Sequence, residues 1–559
     1  MEPVVRIYRS GALIAETEGV PGETLLARVS AAGVFLDAPC GGNGKCGKCL
    51  VSLSPGGEQT RACRTHITGD TDVYLPDEMV MKIADGDNPD TAPSRANLVV
   101  AGSDDASVGT RADAHNLGVA GDACNRTRAD AHKLGVVGDA CTHNSSTSNL
   151  GVAIDIGTTT VVAHLTDIDT GVRIATASGV NAQRPYGADV ISRIQYCADN
   201  GHDALTRIIR EQLSKLIAET CAAAGADPRD VGYISIAANT IMEHLAAGFS
   251  PVGMGVVPFT PVSLFGEELA AGDDLPAAKD AKIYFAPAIS SYVGGDITAG
   301  MLAAGLEDMQ GPVIYLDIGT NGEIAMKIGD KYYCCATAAG PAFEGAEITM
   351  GMAAVSGAVN HVGWGGEPRG LQLSVIGGGE PRGLCGSGLL DALAVLLETG
   401  AVDETGRMLA SGEIDHEISE HIGEIGGHIA FKLKKDSGDV YVSSSDVRKL
   451  QLAKSAIAAG VQTLLRYTGT AEEDVKTFIL AGGFGSFMDQ FSAARIGLFP
   501  KSFLPVTQTL GNTAGEGAAM ALCSGLARAT LDDIRERCEY IELSTSPIFN
   551  EQFVEQMMF

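Results

Sequence analysis

Four cysteines, Cys40, Cys46, Cys49 and Cys63, stand near the start of this chain at a spacing suited to holding a metal group. The first three lie in Cys40-Gly-Gly-Asn-Gly-Lys-Cys46-Gly-Lys-Cys49, and Cys63 follows a short interval later. Four thiolates can bind a two-iron two-sulfur (2Fe-2S) cluster. The intervening glycines let backbone N–H groups approach the sulfurs and stabilise the charged cluster. Two other readings use the same residues, a zinc ribbon and four unligated thiols. A zinc ribbon usually needs two Cys-x-x-Cys knuckles, and only Cys46/Cys49 forms one. The chain carries 13 cysteines, an odd number scattered over its length, so a disulfide framework is not expected.

A second chemistry is written in two matching turns, Asp155-Ile156-Gly157-Thr158-Thr159-Thr160 and Asp317-Ile318-Gly319-Thr320-Asn321-Gly322-Glu323. Each follows an apolar strand and precedes another. Glycine permits the tight turn, while successive N–H groups and Thr hydroxyls can cradle phosphate oxygens. The Asp at each strand end can hold Mg²⁺ through water. A single Asp-x-Gly hairpin tip is common, but here two copies lie 162 residues apart (155 to 317), each opening a strand meander. A third turn, Ala481-Gly482-Gly483-Phe484-Gly485-Ser486, lies 164 residues beyond the second (317 to 481) and follows the apolar run Thr477–Leu480. Glycine there lets the backbone pass close to a flat adenine and ribose.

These residues need elements to position them. Val4–Arg9 and Ala12–Glu18 alternate like a strand pair, Glu23–Ala32 fits a helix, and Thr71–Leu75 reads as a closing strand. From Leu150 onward strands and helices alternate, as in an α/β protein. Strands are predicted at Gly151–Ile156, Thr160–Leu165, Arg173–Ser178, Val231–Ala237, Val313–Leu316, Glu323–Ile328 and Lys331–Thr337. Helices are predicted at Asp189–Ala223, Ile241–Ala247, Leu389–Glu398 and Asp446–Tyr467, the last capped by Ser443-Ser444-Ser445 and ended near Gly469.

Between these parts the composition shifts to Asp, Gly, Ala, Ser, Asn and Pro. Thr110–Cys124 recurs almost unchanged as Thr127–Cys141, a 17-residue period (110 to 127). Two units are too few for a solenoid. His115, Cys124, His132 and Cys141 match no zinc spacing, so the segment reads as a duplicated spacer.

The chain has 559 residues and a formal net charge of −29. That length predicts several domains. The charge argues against nucleic acid or an anionic membrane as main partner. No run of about 18 apolar residues spans a membrane and no signal-peptide core is evident, so a cytoplasmic protein is expected.

The three turns together resemble the phosphate-1, phosphate-2 and adenosine motifs of the actin, Hsp70 and sugar-kinase superfamily. The longer Cys40–Cys46 interval resembles vertebrate- and bacterial-type ferredoxins. In this order, the parts resemble the reductive activators of corrinoid proteins. Further segments carry that resemblance: Asn181–Arg193, Ala238-Asn239-Thr240, Ala338–Ala346, Leu384–Gly388, Asp446–Arg448 and Gln451–Lys454. The short Cys49–Cys63 interval and the duplicated spacer depart from it.

The resemblance implies a multidomain chain: a β-grasp ferredoxin-like α+β domain at 1–80, a flexible linker at 81–148, and a duplicated α/β actin-like fold divided into 149–250 and 251–559. It implies ATP, Mg²⁺ and a 2Fe-2S cluster as cofactors. Its implied partners are the corrinoid protein of a methyltransferase system and an external low-potential electron donor, with a homodimer as assembly. The implied job is to return one electron to inactive cobalt(II) and regenerate cobalt(I). The cluster ligands would be Cys40, Cys46, Cys49 and Cys63. Nucleotide would bind Gly157, Thr158, Thr159, Thr160, Gly319, Thr320, Asn321, Gly322, Gly482, Gly483, Phe484 and Gly485, with Asp155, Asp317 and Glu323 in the catalytic role. An activator of another low-potential enzyme, a small-molecule kinase and a redox-sensing ATP-binding module are the competing classes. Cys334-Cys335 and His244 are expected in the core, Cys385 is a candidate contact, and Glu344 and Glu347 are candidates for touching nucleotide or partner.

Overall fold

Alternating apolar residues make β1 (Val4–Arg9) and β2 (Ala12–Glu18) an antiparallel hairpin, turned through positive φ at Ser10 and Gly11. Thr24 caps α1 (Leu25–Ala31) by accepting from the Ala27 N–H at 3.2 Å. With β3 (Leu50–Ser52), β4 (Gln59–Arg61) and β5 (Thr71–Leu75) the strand order is β2-β1-β5-β3-β4, and β1 runs parallel to β5. Val5, Ile7, Leu25, Val29 and Val73 are fully buried, so sheet and helix share one core. This is the expected β-grasp arrangement.

The computed structural model of the chain describes residues 3–32, 34, 36, 38, 42, 44, 49–76, 150–366, 369–434 and 440–559. The expected linker at 81–148 lies outside the described residues, as do Cys40 and Cys46.

Beyond Leu150 one architecture is built twice. β6 (Leu150–Ile156), β7 (Thr160–Asp167) and β8 (Arg173–Val180) form an antiparallel meander. β9 (Val231–Ala238) adds parallel to β6, and β10 (Glu268–Ala270) and β11 (Lys282–Phe285) follow, giving the order β10-β11-β9-β6-β7-β8. The expected division at residue 250 falls inside this sheet. The second sheet repeats the meander as β12 (Val313–Ile318), β13 (Gly322–Ile328) and β14 (Lys331–Thr337). Two three-stranded sheets then intervene, β15 (Ala358–Gly365), β16 (Gly370–Val375) and β17 (Gly383–Leu384), then β18 (Ile422–Ile425), β19 (His428–Lys432) and β20 (Tyr441–Ser443). β21 (Thr477–Ala481) joins β12 in parallel. With β22 (Thr507–Thr509) and β23 (Cys538–Tyr540) the order is β22-β21-β12-β13-β14-β23.

Helices cover the sheets. The predicted stretch Asp189–Ala223 divides into α2 (Val190–Asn200) and α3 (Asp203–Ala224), broken at Gly201 with φ +82°. The others used below are α4 (Thr240–Ala247), α5 (Gly295–Ala304), α6 (Gly386–Glu398), α7 (Ser444–Thr468) and α8 (Thr513–Cys523). α7 begins with a reciprocal Ser443/Asp446 capping box and ends at left-handed Gly469, as its sequence predicts.

α5 and α8 tie the two sheets together. Ala299 of α5 is buried with Ala514, Ala518 and Ala521 of α8 and with Ala153 and Ala237 of the first sheet. Ile297 and Met301 of α5 instead pack with Tyr315 and Ile479 of the second. A side chain at Gly517 would strike the Ala299 backbone, so small residues set how closely the helices cross. No helix among the described residues is long and apolar enough to cross a membrane.

Candidate functional site

Residues 157–160 link β6 to β7 at the cleft between the sheets, and their backbone carbonyls are bound from behind. Asn181 Nδ2 donates to Gly157 O at 2.8 Å, Arg193 Nη2 to Thr158 O at 2.5 Å, and the Asn181 N–H to Thr159 O at 2.8 Å. Asn239 Nδ2 also donates to Thr158 Oγ1 at 3.2 Å. A turn whose carbonyls are occupied on one side can present N–H groups on the other, which is what an anion requires. Arg193 is 0% exposed and also bonds Gly187 O at 3.0 Å and Gln183 Oε1 at 3.2 Å. The Asn181–Arg193 segment is thus the scaffold of the first turn. Arg193→Met is expected to cost about 3 kcal/mol, because it strands these buried acceptors. A thermal unfolding midpoint unchanged by the substitution would contradict this role.

The equivalent glycines of the two turns, Gly157 and Gly319, differ in the room around them. A Cβ at Gly157 would sit 2.9 Å from Thr160 O, and one at Gly322 would sit 2.8 Å from Thr337 Oγ1. A Cβ at Gly319 or Gly483 would meet nothing within 4 Å, so the chain leaves room at those tips. At the third turn, Gly482 has φ +84°, and a side chain on it would strike the Asp317 carboxylate. Phe484 stacks on buried Phe343 with centroids 5.6 Å apart.

The acidic groups converge. Asp155 and Asp317 are half-buried at the ends of β6 and β12. Asn512, capping α8, donates to Asp155 Oδ2 at 2.8 Å, and Tyr315 Oη donates to Asp317 Oδ2 at 3.4 Å. Glu323, one residue into β13, is half-buried and pairs in register with Asp317. A fourth acid, Asp296 in the first turn of α5, was not among the expected residues. Burial pushes Asp155 up to about 7, with Asp317 adding to it, and burial pushes Asp317 itself up to about 6. Asp296 rises to about 8 through burial and then the charges of Asp317 and Asp155. Glu323 is raised well above the usual range by burial, then by Asp296 and Asp317. Glu243 of α4 is 0% exposed and raised by burial and Asp296.

Like charges at this density call for a counter-ion. Among the described residues no three His, Cys, Asp or Glu side chains form a ready set of metal ligands. Mg²⁺ needs no such cage, since it takes one or two carboxylates, with phosphate and water completing its shell. The donor set therefore fits Mg²⁺ bound together with a polyphosphate.

These acids predict a pH dependence. Folded-state pKa values above the unfolded value near 4 give stability that is full below that pH and is lost as pH rises through about 6 to 8. Without divalent cation, the unfolding temperature is expected to fall between pH 5.5 and 8.5. Mg²⁺ with nucleotide should flatten that slope. Thermal scans at three pH values check it, and a flat cation-free curve would refute it.

The other singled-out residues have these surroundings. Cys334, Cys335 and His244 are 0% exposed, as expected. Cys385 is buried, its Sγ 3.4 Å from Val359 O and 3.5 Å from Ser387 Oγ. Asp446 caps α7 and accepts from the Thr349 N–H at 2.9 Å. Lys454 Nζ donates to Gln556 O at 2.5 Å and Met558 O at 2.6 Å, and burial lowers its pKa to about 8. Glu344 accepts from Thr159 Oγ1 at 3.0 Å and Thr320 Oγ1 at 2.7 Å. Glu347 is exposed with φ +64°.

In the β-grasp unit, Cys49 and Cys63 are 0% and 7% exposed. They flank one hairpin: β3 and β4 pair from Leu50↔Arg61 to Ser52↔Gln59, and the Ala62 N–H donates to Cys49 O at 2.8 Å. The short Cys49–Cys63 interval is thus one tight hairpin that brings both residues to its open end. Gly42 and Gly44 have φ of +83° and +72°, and a Cβ on Gly42 would lie 3.9 Å from Cys63 Cβ. A glycine backbone passing beside one candidate ligand fits a cluster loop.

Known proteins are similar to this chain. The family profile for the RACo middle region matches residues 150–309, and that for the C-terminal domain of RACo, the ASKHA domain, matches 311–559. The corrinoid activation enzyme RamQ of Eubacterium limosum is 32% identical, covering 98% of this chain and 98% of its own length. The [Co(II) methylated amine-specific corrinoid protein] reductase of Methanosarcina barkeri is 25% identical over 72% of this chain and 76% of its own. The solved structure of a reductive activator for corrinoid, iron–sulfur protein superposes with a TM-score of 0.67 at 28% identity, covering 100% of this chain and 98% of that one. With two family profiles covering both lobes and a relative matched end to end, the chain belongs to the RACo family.

Proposed function

We propose that this chain is an ATP-dependent reductive activator that returns one electron to the cobalt(II) corrinoid of a methyltransferase corrinoid protein, regenerating cobalt(I). The observation that carries the ATP part is the pair of Asp-Ile-Gly-Thr turns, each ending the first strand of a repeated meander, with Asp155, Asp296, Asp317 and Glu323 gathered around them. Thr158, Thr159, Thr160, Thr320 and Asn321 would orient the phosphates, Asp155 and Asp317 would hold Mg²⁺ through water, and Glu323 would position water or metal. Gly482, Gly483, Phe484 and Gly485 would receive the adenosine. When bound, a 2Fe-2S cluster on Cys40, Cys46, Cys49 and Cys63 supplies one-electron chemistry, replenished by an external low-potential donor.

Energetics explain why ATP is needed. Reducing cobalt(II) lies below the potential of an ordinary ferredoxin at roughly −400 mV. An uphill gap of about 120 mV makes the transfer roughly a hundredfold unfavourable, ~2.7 kcal/mol for one electron. ATP helps only by favouring a state in which the gap is smaller. Closure of the two lobes around nucleotide, coupled to docking on the corrinoid protein, would provide that state. The relatives' names favour a corrinoid target over other low-potential enzymes. The test mixes the protein with cobalt(II) corrinoid proteins and reductant and follows cobalt(I) absorbance. Activation that needs ATP is expected. Equal rates without ATP, with every partner, would overturn the proposal.

A further inference from the structure

One four-residue turn touches all three loops of the cleft. Pro341–Glu344 ends in Glu344, whose carboxylate accepts from Thr159 Oγ1 of the first turn at 3.0 Å and from Thr320 Oγ1 of the second at 2.7 Å. The preceding Phe343 stacks on Phe484 of the third turn. Gly340 and Gly345 bracket it with φ of +75° and +76°, and a Cβ on Gly345 would sit 2.8 Å from the Met352 N, so the backbone fixes where Glu344 points. Thr159 and Thr320 belong to different lobes, 161 residues apart in sequence (159 to 320). A single carboxylate therefore spans the cleft where the two turns approach.

That position conflicts with a polyphosphate. The hydroxyls that would donate to phosphate oxygens are already committed to Glu344, and a carboxylate a few Å from a phosphate repels it in a partly dry cleft. Carboxylate and phosphate compete for the same two donors. We propose that Glu344 is a latch that holds the phosphate loops together in the nucleotide-free protein and is displaced by the terminal phosphates of a nucleoside triphosphate. Its release frees the Pro341–Glu344 turn, which also packs on the start of α6, where a Cβ on Gly386 would strike Phe343 O. Nucleotide occupancy is thereby passed to an element outside the cleft. The latch rests on the nucleotide reading above, but the bridge can be tested without nucleotide.

Glu344→Gln keeps the shape, removes the charge and can accept with only one of its two terminal atoms. It is expected to bind MgATP about tenfold more tightly than the wild type while its affinity for adenosine stays unchanged. Amide hydrogen exchange over 155–160 and 317–323 should accelerate in the nucleotide-free variant. Glu344→Asp keeps the charge but is too short to reach both hydroxyls. It should show the faster exchange with MgATP affinity between those of the wild type and the Glu344→Gln variant. MgATP binding equal to or weaker than wild type in Glu344→Gln, or unaltered loop exchange in Glu344→Asp, would overturn the latch. A wild type that bound no MgATP would sink the nucleotide reading and the displacement step with it, whereas the exchange measurement would still report on the bridge.

Discussion

Replacing Asp155 or Asp317 by asparagine is expected to lower ATP turnover by at least about a hundredfold each, with thermal stability kept or raised. The reasoning runs through charge. Both carboxylates sit half-buried at strand ends, and burial holds them up at about 7 and about 6. Left without cation they destabilise the cleft, so neutral amides of the same shape relieve repulsion and do not create it. In the proposed mechanism the same amides would remove the anchor for Mg²⁺ and leave the phosphate charge uncompensated. Losing one electrostatic stabiliser of that kind typically costs about 10²–10³ in rate. Asn512 Nδ2 donates to Asp155 Oδ2 at 2.8 Å and can donate equally to the carbonyl oxygen of the amide that replaces this carboxylate, so the fold should survive. The double variant should not add the two losses, because both groups serve one metal. Turnover, unfolding temperature and cobalt(I) formation measured together decide the matter. Full ATP dependence of activation in the double variant would break the proposed coupling.

How much of this was visible before folding differs from residue to residue. The turns at 155–160 and 317–323 were legible because a hairpin tip is local chemistry: strand, Asp, Gly, hydroxyls, strand. The capping of α7 by Ser443 and its stop at Gly469 were legible for the same reason. Asp296 was not, because an Asp in the first turn of a helix is ordinary until α5 is seen bridging both sheets. Arg193 gave no sign that its guanidinium would end 35 residues upstream on Thr158 O. Nor could Glu344 be assigned two partners, one of them 185 residues away. The small sheets at 358–384 and 422–443 were missed, since short strands such as Gly383–Leu384 carry too few residues to show alternation. The split of the α2–α3 stretch lay in Gly201, a positive-φ stop that apolar periodicity alone overlooks.

Substituting Cys49 or Cys63 by Ser should abolish cobalt(I) formation altogether while leaving ATP turnover close to wild type. A Ser oxygen is a harder ligand than a thiolate and releases a cluster that soft sulfur holds. Because the proposed electron delivery depends on that group, partial activity is not expected, unlike the graded loss at the acidic cleft. Geometry makes these two positions the sharpest test. Cys49 precedes β3 and Cys63 follows β4, on neighbouring strands whose pairing ends with Ala62 N donating to Cys49 O. Ser adds no bulk at either buried site and leaves that backbone bond intact, so the hairpin should still form. The visible absorbance and the paramagnetic signal of the reduced cluster should vanish with iron content, and far-ultraviolet circular dichroism should not change. A zinc ribbon would answer differently: the wild type would carry zinc, show no visible band and accept no electron. Wild-type protein with zinc in place of iron would thus remove the electron path, whatever the nucleotide site does. Loss of ATP turnover in the Ser variants would instead mean that cluster and cleft are one cooperative unit, and the separation of electron delivery from nucleotide chemistry would fail.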